Sequence, residues 1–167
     1  MEKILLTHGS GGTLMHKLID SLFMRELGNP ILREKKDSAI IKIGDKKIAF
    51  TTDSYVVNPI FFPGGDIGKL SVCGTVNDMA VSGAMPKYLS CGMIVEDGFS
   101  YADLEKITIS IKDTCKSAGV NIVTGDFKVV EKGSIDGIFI NTSGIGEVFK
   151  SSNVSIPRIR PGDKIII

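Results

Sequence analysis

Four aspartates stand out in a chain that has few other groups suited to acid–base chemistry. Asp37, Asp53, Asp78 and Asp126 each fall at a predicted strand edge or on an apolar helix, most of them beside Gly, Ser, Thr or Asn. The chain has two His, both in the N-terminal segment. Carboxylates without His or Cys favour a hard cation, and Mg²⁺ held by a few carboxylates commonly also binds substrate phosphates. The pattern indicates a Mg²⁺–nucleotide site, and the alternative is that each Asp is a turn or cap residue.

A glycine-rich loop before the first predicted helix could hold phosphates. The loop consists of Gly9, Ser10, Gly11 and Gly12. Backbone N–H groups at such a loop and at the following helix start can bind a phosphate, although the loop could also be a flexible arm. Lys69 and Lys128, each near a candidate Asp, could act as point charges on a phosphate. The sequence lacks a Walker A loop, a GxSxG elbow, a Cys–His nucleophile pair and zinc-ligand spacing, which excludes those site types.

The central helix is predicted over Ile67–Gly83, after a Gly-rich turn. Nearly every face is apolar or small, except for one narrow polar stripe formed by Ser71, Thr75, Asp78 and Ser82. We expect this helix to be buried on most sides. Because desolvating a lone carboxylate is costly, Asp78 requires a metal ion, a basic partner or a cap.

The remaining sequence predicts strands and two further helices around this central helix. One helix follows the Gly loop, with an apolar face from Leu14 to Leu27, and another begins after Ser100 and ends at Gly119. Ile60–Pro63 reads as a packed loop, and the Phe pair in it could instead form a contact surface. Strands are predicted over Ser38–Ile43, Lys46–Phe50, Lys87–Val95, Val120–Val123 and Asp136–Phe149, the last bulged at Gly144 and Gly146. Asp126 therefore follows the end of a predicted buried strand, where it favours a site.

Length and charge limit the class of protein. The 167 residues carry a net charge of +1 with scattered Lys and Arg, which gives no electrostatic footprint for nucleic acid or an anionic membrane. Three Cys without a paired framework predict reduced thiols and a cytoplasmic location. We expect one domain over residues 1–150, followed over 151–167 by a polar connection and a strand opening at Asp163. Since the chain stops in an apolar strand, we expect it to be the first part of a longer protein.

Four motifs lie in order along the chain. Residues 8–12 read HGSGG, residues 124–130 read TGDFKVV and residues 139–146 read FINTSGIG. The longest motif, over residues 51–86, is TTDSYVVNPIFFPGGDIGKLSVCGTVNDMAVSGAMP. Together they resemble the HypE family of hydrogenase-maturation proteins, within the PurM-like, AIR-synthase-related ATP-binding superfamily. The resemblance runs through the whole chain in order and matches the N-terminal half of that family.

The resemblance implies an α+β, PurM N-terminal-like domain. Its mixed or antiparallel sheet would carry helices on one face and pair with the sheet of a second copy in a barrel-like homodimer core. ATP and Mg²⁺ would bind there, with Asp53, Asp78 and Asp126 as metal ligands, Asp37 as a weaker fourth, and Asp78 and Lys128 as catalytic residues. The nucleotide phosphates would lie against Gly9, Ser10, Gly11, Gly12, Lys69, Asn77, Thr124 and Gly125.

The resemblance also implies a reaction for the whole protein. A HypF-like carbamoyltransferase would load a C-terminal cysteine, and ATP-dependent dehydration would convert the thiocarboxamide to a thiocyanate. The cyanide would pass to a HypC–HypD-like complex for the [NiFe]-hydrogenase centre, and the fragment alone would be inactive. Alternatives are another reaction of the superfamily, such as selenophosphate or thiamine-phosphate synthesis, or a non-catalytic dimerisation and docking module.

Two positions depart from the family pattern. Phe127 replaces the usual Thr in the TGDxK motif, which removes a hydroxyl from the expected phosphate environment. Lys36 replaces an acidic residue before Asp37, which weakens Asp37 as a ligand.

Overall fold

The computed structural model describes residues 3–152, 154–155 and 158–165. These residues form two compact units, one ending at Lys36 and the other beginning at Asp37. The candidate carboxylates all belong to the second unit, and the Gly loop belongs to the first.

The first unit is a short helical segment. A 3₁₀ turn over Leu6–Gly9 leads into α1, Thr13–Leu18, which continues through a π-helical turn, Ile19–Phe23, into α2, Met24–Glu26. The predicted helix is therefore confirmed. Within this unit Met24 is buried, whereas several side chains of the predicted apolar face are exposed, namely Leu14, Leu22, Phe23 and Leu27.

The second unit is built on a five-stranded sheet. The main strands are β1 (Ala39–Ile43), β2 (Lys46–Tyr55), β5 (Ala84–Glu96), β6 (Asn121–Val130) and β7 (Ile138–Val148). Their spatial order is β1-β2-β7-β5-β6, and all neighbours are antiparallel except β5 and β6. The predicted hairpin between β1 and β2 is confirmed, with Gly44 at φ +58° in the turn. Two short paired strands also form, β3 (Phe61–Phe62) within the predicted packed loop and β4 (Gly65–Asp66) within the predicted Gly-rich turn.

Two helices pack on one face of this sheet. Helix α3 spans Ile67–Val81 and contacts β2, β7 and β5, and helix α4 spans Tyr101–Ala118 and contacts α3. Ser100 caps α4 by accepting a hydrogen bond from the Asp103 N–H, and Gly119 ends it in the left-handed region, as predicted. Alternate residues of β7 are buried under the helices, and the opposite sheet face is open. The predicted α+β class with a mixed sheet and helices on one face is confirmed.

The polar stripe of α3 is the side that packs on the sheet. Ser71 and Thr75 are fully buried, while Leu70 and Val81 are exposed, so the helix is not buried on most sides. The small hydroxyl side chains are satisfied locally, since Ser71 donates to the Gly68 carbonyl and Thr75 bonds Tyr55 and Thr142. Small polar residues thus allow the helix to approach β7 closely.

Gly144 and Gly146 mark this close approach rather than a bulge. A Cβ on Gly144 would lie 2.4 Å from Met79 Cε and 2.8 Å from Thr75 Cγ2 of α3. The irregular pairing lies on the partner strand, between Pro86 and Tyr88 of β5. The predicted bulge at the glycines was therefore wrong, because the glycines make room for a helix.

The strand that carries TGDFK also differs from its prediction. Residues 121–130 form one continuous edge strand, β6, so Asp126 lies within the strand and not after it. Nine of its ten residues are exposed, so the strand is not buried in this chain. Of the strand predicted from Asp163, residues 163–165 are not extended in a sheet, and residues 166–167 lie outside the described residues.

We predict that Gly144→Ala destabilises the second unit, because the new methyl group overlaps Met79 and Thr75. Such overpacking costs about 1–3 kcal/mol in the free energy of unfolding, measured by urea denaturation. Gly92→Ala is the matched control, since its Cβ would meet nothing closer than Asn141 O at 3.8 Å. Equal stability of both variants would contradict the helix seating described above.

Candidate functional site

Three of the four predicted aspartates come together at one edge of the α3–sheet interface. Asp78 lies in the last turns of α3, Asp53 lies on β2, and Asp37 lies two residues before β1. The charges of Asp53 and Asp37 both act on the Asp78 carboxyl. Among the described residues none of the three forms an ion pair with Lys or Arg. The cluster therefore concentrates negative charge without a basic partner from that part of the chain.

The pKa of Asp78 is raised in this setting. Burial is the largest cause, and the neighbouring carboxylates of Asp53 and Asp37 raise it further, while a hydrogen bond from Thr51 lowers it. Burial also raises the pKa of Tyr55 to about 12, with a smaller contribution from Asp53. A cation or a set of phosphate-bound metal ions would relieve this carboxylate repulsion.

Two hydroxyl residues that sequence reasoning missed hold the cluster together. The Thr51 hydroxyl lies 2.8 Å from the Asp37 carbonyl oxygen and 3.1 Å from Asp78 Oδ2. Ser38 donates to the Asp78 backbone carbonyl at 3.0 Å. Thr51 could have been found from the strand period, because residues i and i+2 share a face and Thr51 stands two before Asp53.

Asp126 lies on the opposite face of the sheet. It belongs to a register row that runs from Ser54 through Asn141 and Gly92 to Asp126. The adjacent row contains Asp53 and Thr142, and Thr142 points towards α3, where it bonds Thr75. Because neighbouring strand residues point to opposite faces, one chain does not bring Asp126 to Asp53 and Asp78.

Asp126 and Lys128 instead line a shallow cavity of about 290 Å³ on the open sheet face, together with Ser54 and Asn141. Asn141 is fixed there by donating to the Asp53 carbonyl and to Ser54 Oγ. Neither Asp126 nor Lys128 has a hydrogen-bond or ion-pair partner within the described ranges. The pair is thus available for a ligand or a second chain.

The other predicted phosphate-binding residues are spread over several elements. Asn77 precedes Asp78 on α3 and is exposed. Lys69 lies nine residues before Asp78, which is ~13 Å along the helix axis. The Lys69 ammonium donates to the Gly64 carbonyl at 2.8 Å. Thr124 and Gly125 are on β6, and a Cβ on Gly125 would lie 2.4 Å from the Cys91 carbonyl oxygen, so glycine is required for this strand pairing.

The Gly loop is described within its own unit. Gly9 ends a 3₁₀ turn, Ser10 donates to the Thr7 carbonyl, Gly11 has φ +78°, and Gly12 precedes α1. The loop is exposed, and its role in phosphate binding stays a prediction.

Comparison with known proteins decides the family. The sequence profile of the family described as AIR synthase related protein, N-terminal domain, matches residues 35–148, which contain the acidic cluster and both sheet faces. The chain belongs to the AIR synthase related family.

Relatives within this family are carbamoyl dehydratases called HypE. The Escherichia coli K12 protein is 47% identical over 100% of this chain and 51% of its own length. The Azotobacter vinelandii protein is 48% identical over 97% of this chain and 48% of its own length. The chain therefore spans about half the length of the curated relatives it matches.

Solved structures support the same fold. A chain in the structure of a HypE–HypF complex matches with a TM-score of 0.80 and 52% identity, over 87% of this chain and 47% of that one. HypE in complex with ATP matches with a TM-score of 0.62 and 52% identity, over 88% and 44%. A ThiL complexed with AMPPCP and TMP, only 20% identical, shares the fold with a TM-score of 0.70.

The donor set of this AIR synthase related domain suits Mg²⁺ in its chemistry. The cluster offers carboxylate oxygens as ligands, which suit a hard cation. The negative charges of Asp53 and Asp37 disfavour the ionised form of Asp78, and a bound cation would offset this repulsion. Three or more His, Cys, Asp or Glu side chains arranged to hold one metal ion do not occur among the described residues. Mg²⁺ in nucleotide sites is usually held by one or two carboxylates together with phosphate oxygens, and Asp53 and Asp78 could supply that pair.

No helix in the described ranges has the length and apolarity needed to cross a membrane.

We predict that Asp78→Asn raises the melting temperature at pH 7. Because the pKa of Asp78 is raised on folding, the folded protein binds this proton more tightly, and wild type loses that stabilisation as pH rises above the ordinary value of 3.8. Asparagine carries no charge at any of these pH values, so the difference should shrink as pH falls towards 4.

The matched control is Asp113→Asn, which neutralises an exposed carboxylate on α4. It should leave the melting temperature nearly constant. The measured quantity is the melting temperature of Asp78→Asn minus that of wild type. If this difference is smaller at pH 7 than at acid pH, the carboxylate repulsion is contradicted.

Proposed function

We propose that this chain is the Mg²⁺–ATP-binding half of a HypE-type carbamoyl dehydratase. The observation that carries the proposal is the meeting of Asp37, Asp53 and Asp78 at one edge of the α3–sheet interface without a basic partner among the described residues. The relatives named HypE, and the HypE solved in complex with ATP, support this assignment. Free thiols at its three cysteines fit a cytoplasmic setting.

The proposed reaction needs activation of a poor leaving group. Transfer of the ATP γ-phosphoryl group to the oxygen of an S-carbamoyl group, with loss of one N–H proton, gives an imidate phosphate. Loss of phosphate and the second N–H proton then leaves the thiocyanate, so the elements of water leave as part of the phosphate. Mg²⁺ supplies neutralisation of phosphate charge in such transfers.

The chain's own residues would position the reactants. Asp53 and Asp78 would hold the metal–phosphate group, and Lys128 would stabilise transferred charge or assist proton removal. The substrate cysteine and further groups would come from the remaining half of the protein. A HypF-like carbamoyltransferase and a HypC–HypD-like complex are the proposed partners, and a HypE–HypF complex supports the first.

A second copy of the chain would complete this site. Asp126 lies on the opposite face from Asp53 and about 14 Å from Ser54 along the same register row, three strand spacings away. If Asp126 and Lys128 act with Asp78, they must therefore come from the other protomer. The open sheet face carries exposed apolar side chains such as Phe50 and Ile145, and no strand of the described residues pairs with the outer edge of β6. Both features suit burial in a homodimer.

We predict that the chain binds Mg²⁺–ATP and that Asp53→Asn and Asp78→Asn each weaken binding at least about tenfold, or about 1.4 kcal/mol. Isothermal titration calorimetry measures the affinity, and Asp113→Asn is the control that should bind as wild type does. A folded wild-type dimer that binds no nucleotide would contradict the proposal and favour a docking module.

Subunit mixing tests the shared site. Asp78→Asn and Asp126→Asn homodimers should both bind Mg²⁺–ATP poorly. Unfolding and refolding equal amounts of the two variants together gives heterodimers as about half of the dimers. Each heterodimer carries both changes in one site and neither in the other, so about a quarter of all sites regain normal affinity. If the mixture binds no better than its components, Asp126 and Asp78 do not act in opposite protomers.

A chimera tests the reaction itself. We predict that this chain, replacing the matching half of Escherichia coli HypE, restores hydrogenase activity in a strain that lacks HypE. The Asp78→Asn chimera should restore none, and the Asp113→Asn chimera should restore it fully. A stable chimera that produces no thiocyanate on its cysteine by mass spectrometry would contradict the dehydratase assignment.

A further inference from the structure

The hydroxyl of Thr51 touches two of the three segments that carry the acidic cluster. Thr51 is 6% exposed, and its oxygen contacts the Asp37 backbone carbonyl and Asp78 Oδ2. The third segment is its own strand, since Asp53 follows two residues later on the same face. A single buried oxygen thus links parts of the chain 14 and 27 residues away.

The chemistry of this contact is directional. A threonine hydroxyl has one hydrogen, and a backbone carbonyl and an ionised carboxylate both only accept. The hydrogen is therefore shared between Asp37 O and Asp78 Oδ2, and each orientation fixes the position of one acceptor relative to β2. Ser38 donates to the backbone carbonyl of Asp78 and anchors the main chain, whereas Thr51 contacts the carboxylate itself.

Holding Asp78 here is costly without such a contact. The charges of Asp53 and Asp37 disfavour an ionised Asp78. The α3 backbone alone would allow the Asp78 side chain to adopt another rotamer, pointing away from these two carboxylates. A donor on β2 keeps the Asp78 carboxylate near Asp53, on the strand that carries the second proposed ligand. Methyl and hydroxyl groups of Thr51 also fill the buried space beneath α3, so the residue is held rigidly.

We propose that Thr51 is a positioning residue that orients the Asp78 carboxylate for the divalent cation. This rests on the proposed Mg²⁺–ATP site, and Thr51 acts through Asp78 without contacting the nucleotide. Residues that orient a metal ligand typically contribute 10–100-fold to metal affinity. Valine at position 51 keeps the shape and removes the hydroxyl, and serine keeps the hydroxyl.

The test is the affinity for Mn²⁺ in the presence of ATP, measured from the free Mn²⁺ signal in electron paramagnetic resonance. Thr51→Val should weaken Mn²⁺ binding at least about tenfold, and Thr51→Ser should stay close to wild type. Ser71→Ala is the matched control, because it deletes a fully buried hydroxyl whose hydrogen-bond partner in the described part of the chain is the Gly68 carbonyl. It should bind Mn²⁺ as wild type does.

The outcomes separate this inference from the proposed function. Wild-type affinity in Thr51→Val, or equal loss in Thr51→Ser and Thr51→Val, overturns the positioning role while the site stands. Should Thr51→Val not fold, Thr51→Cys replaces it, since a thiol of similar size is a weak donor and should also lose affinity. If wild type itself binds no Mn²⁺ with ATP, the proposed site fails, and the role of Thr51 fails with it.

Discussion

The close seating of α3 on the sheet is the constraint on which the acidic cluster depends. Gly144 leaves no room between β7 and the Met79 and Thr75 side chains, and this contact fixes the depth and rotation of the helix. Asp78 lies in the same turn, between Thr75 and Met79, so this seating places it beside the Asp53 and Asp37 segments, where burial and like charge oppose its ionisation. Packing in the core of the domain thus keeps mutually repelling carboxylates close together. The free-energy cost of that repulsion at the binding site is offset by favourable contacts elsewhere in the fold.

The two faces of the sheet divide the proposed site between them. Asp53 on β2, Asp78 on α3 and Asp37 before β1 provide the carboxylates on the helix side, and Asp126 and Lys128 lie on the open face, on an edge strand. In a single chain of this AIR synthase related fold, the two halves of the proposed site therefore lie on opposite faces of the sheet. The same edge strand also exposes Phe127 and Val129, which alternate with Asp126 and Lys128 and so lie on the helix side of the sheet, where dimerisation through the open face alone would not cover them.

Sequence patterns predicted the fold and the α3 carboxylate for clear physical reasons. Alternation and turn chemistry located β1 and β2, and the Ser100 and Gly119 caps located α4, because these signals are local. The edge position of β6 and the role of Gly144 could not be predicted, since both depend on which element lies alongside. The grouping of Asp37, Asp53 and Asp78 followed from their residue type, whereas the separation of Asp126 required the strand register. The strand period places Thr51 on the same face as Asp53, but its contacts with Asp37 and Asp78 join segments 14 and 27 residues away and required the structure.

The most direct measurement is a crystal structure of the chain grown with Mn²⁺ and ATP, with diffraction recorded at the manganese absorption edge. The account predicts an anomalous difference peak within coordination distance of Asp53 and Asp78, with the ATP phosphates on its other side. Ordered ATP with manganese only at other residues, and Asp53 and Asp78 left without a metal, would contradict it.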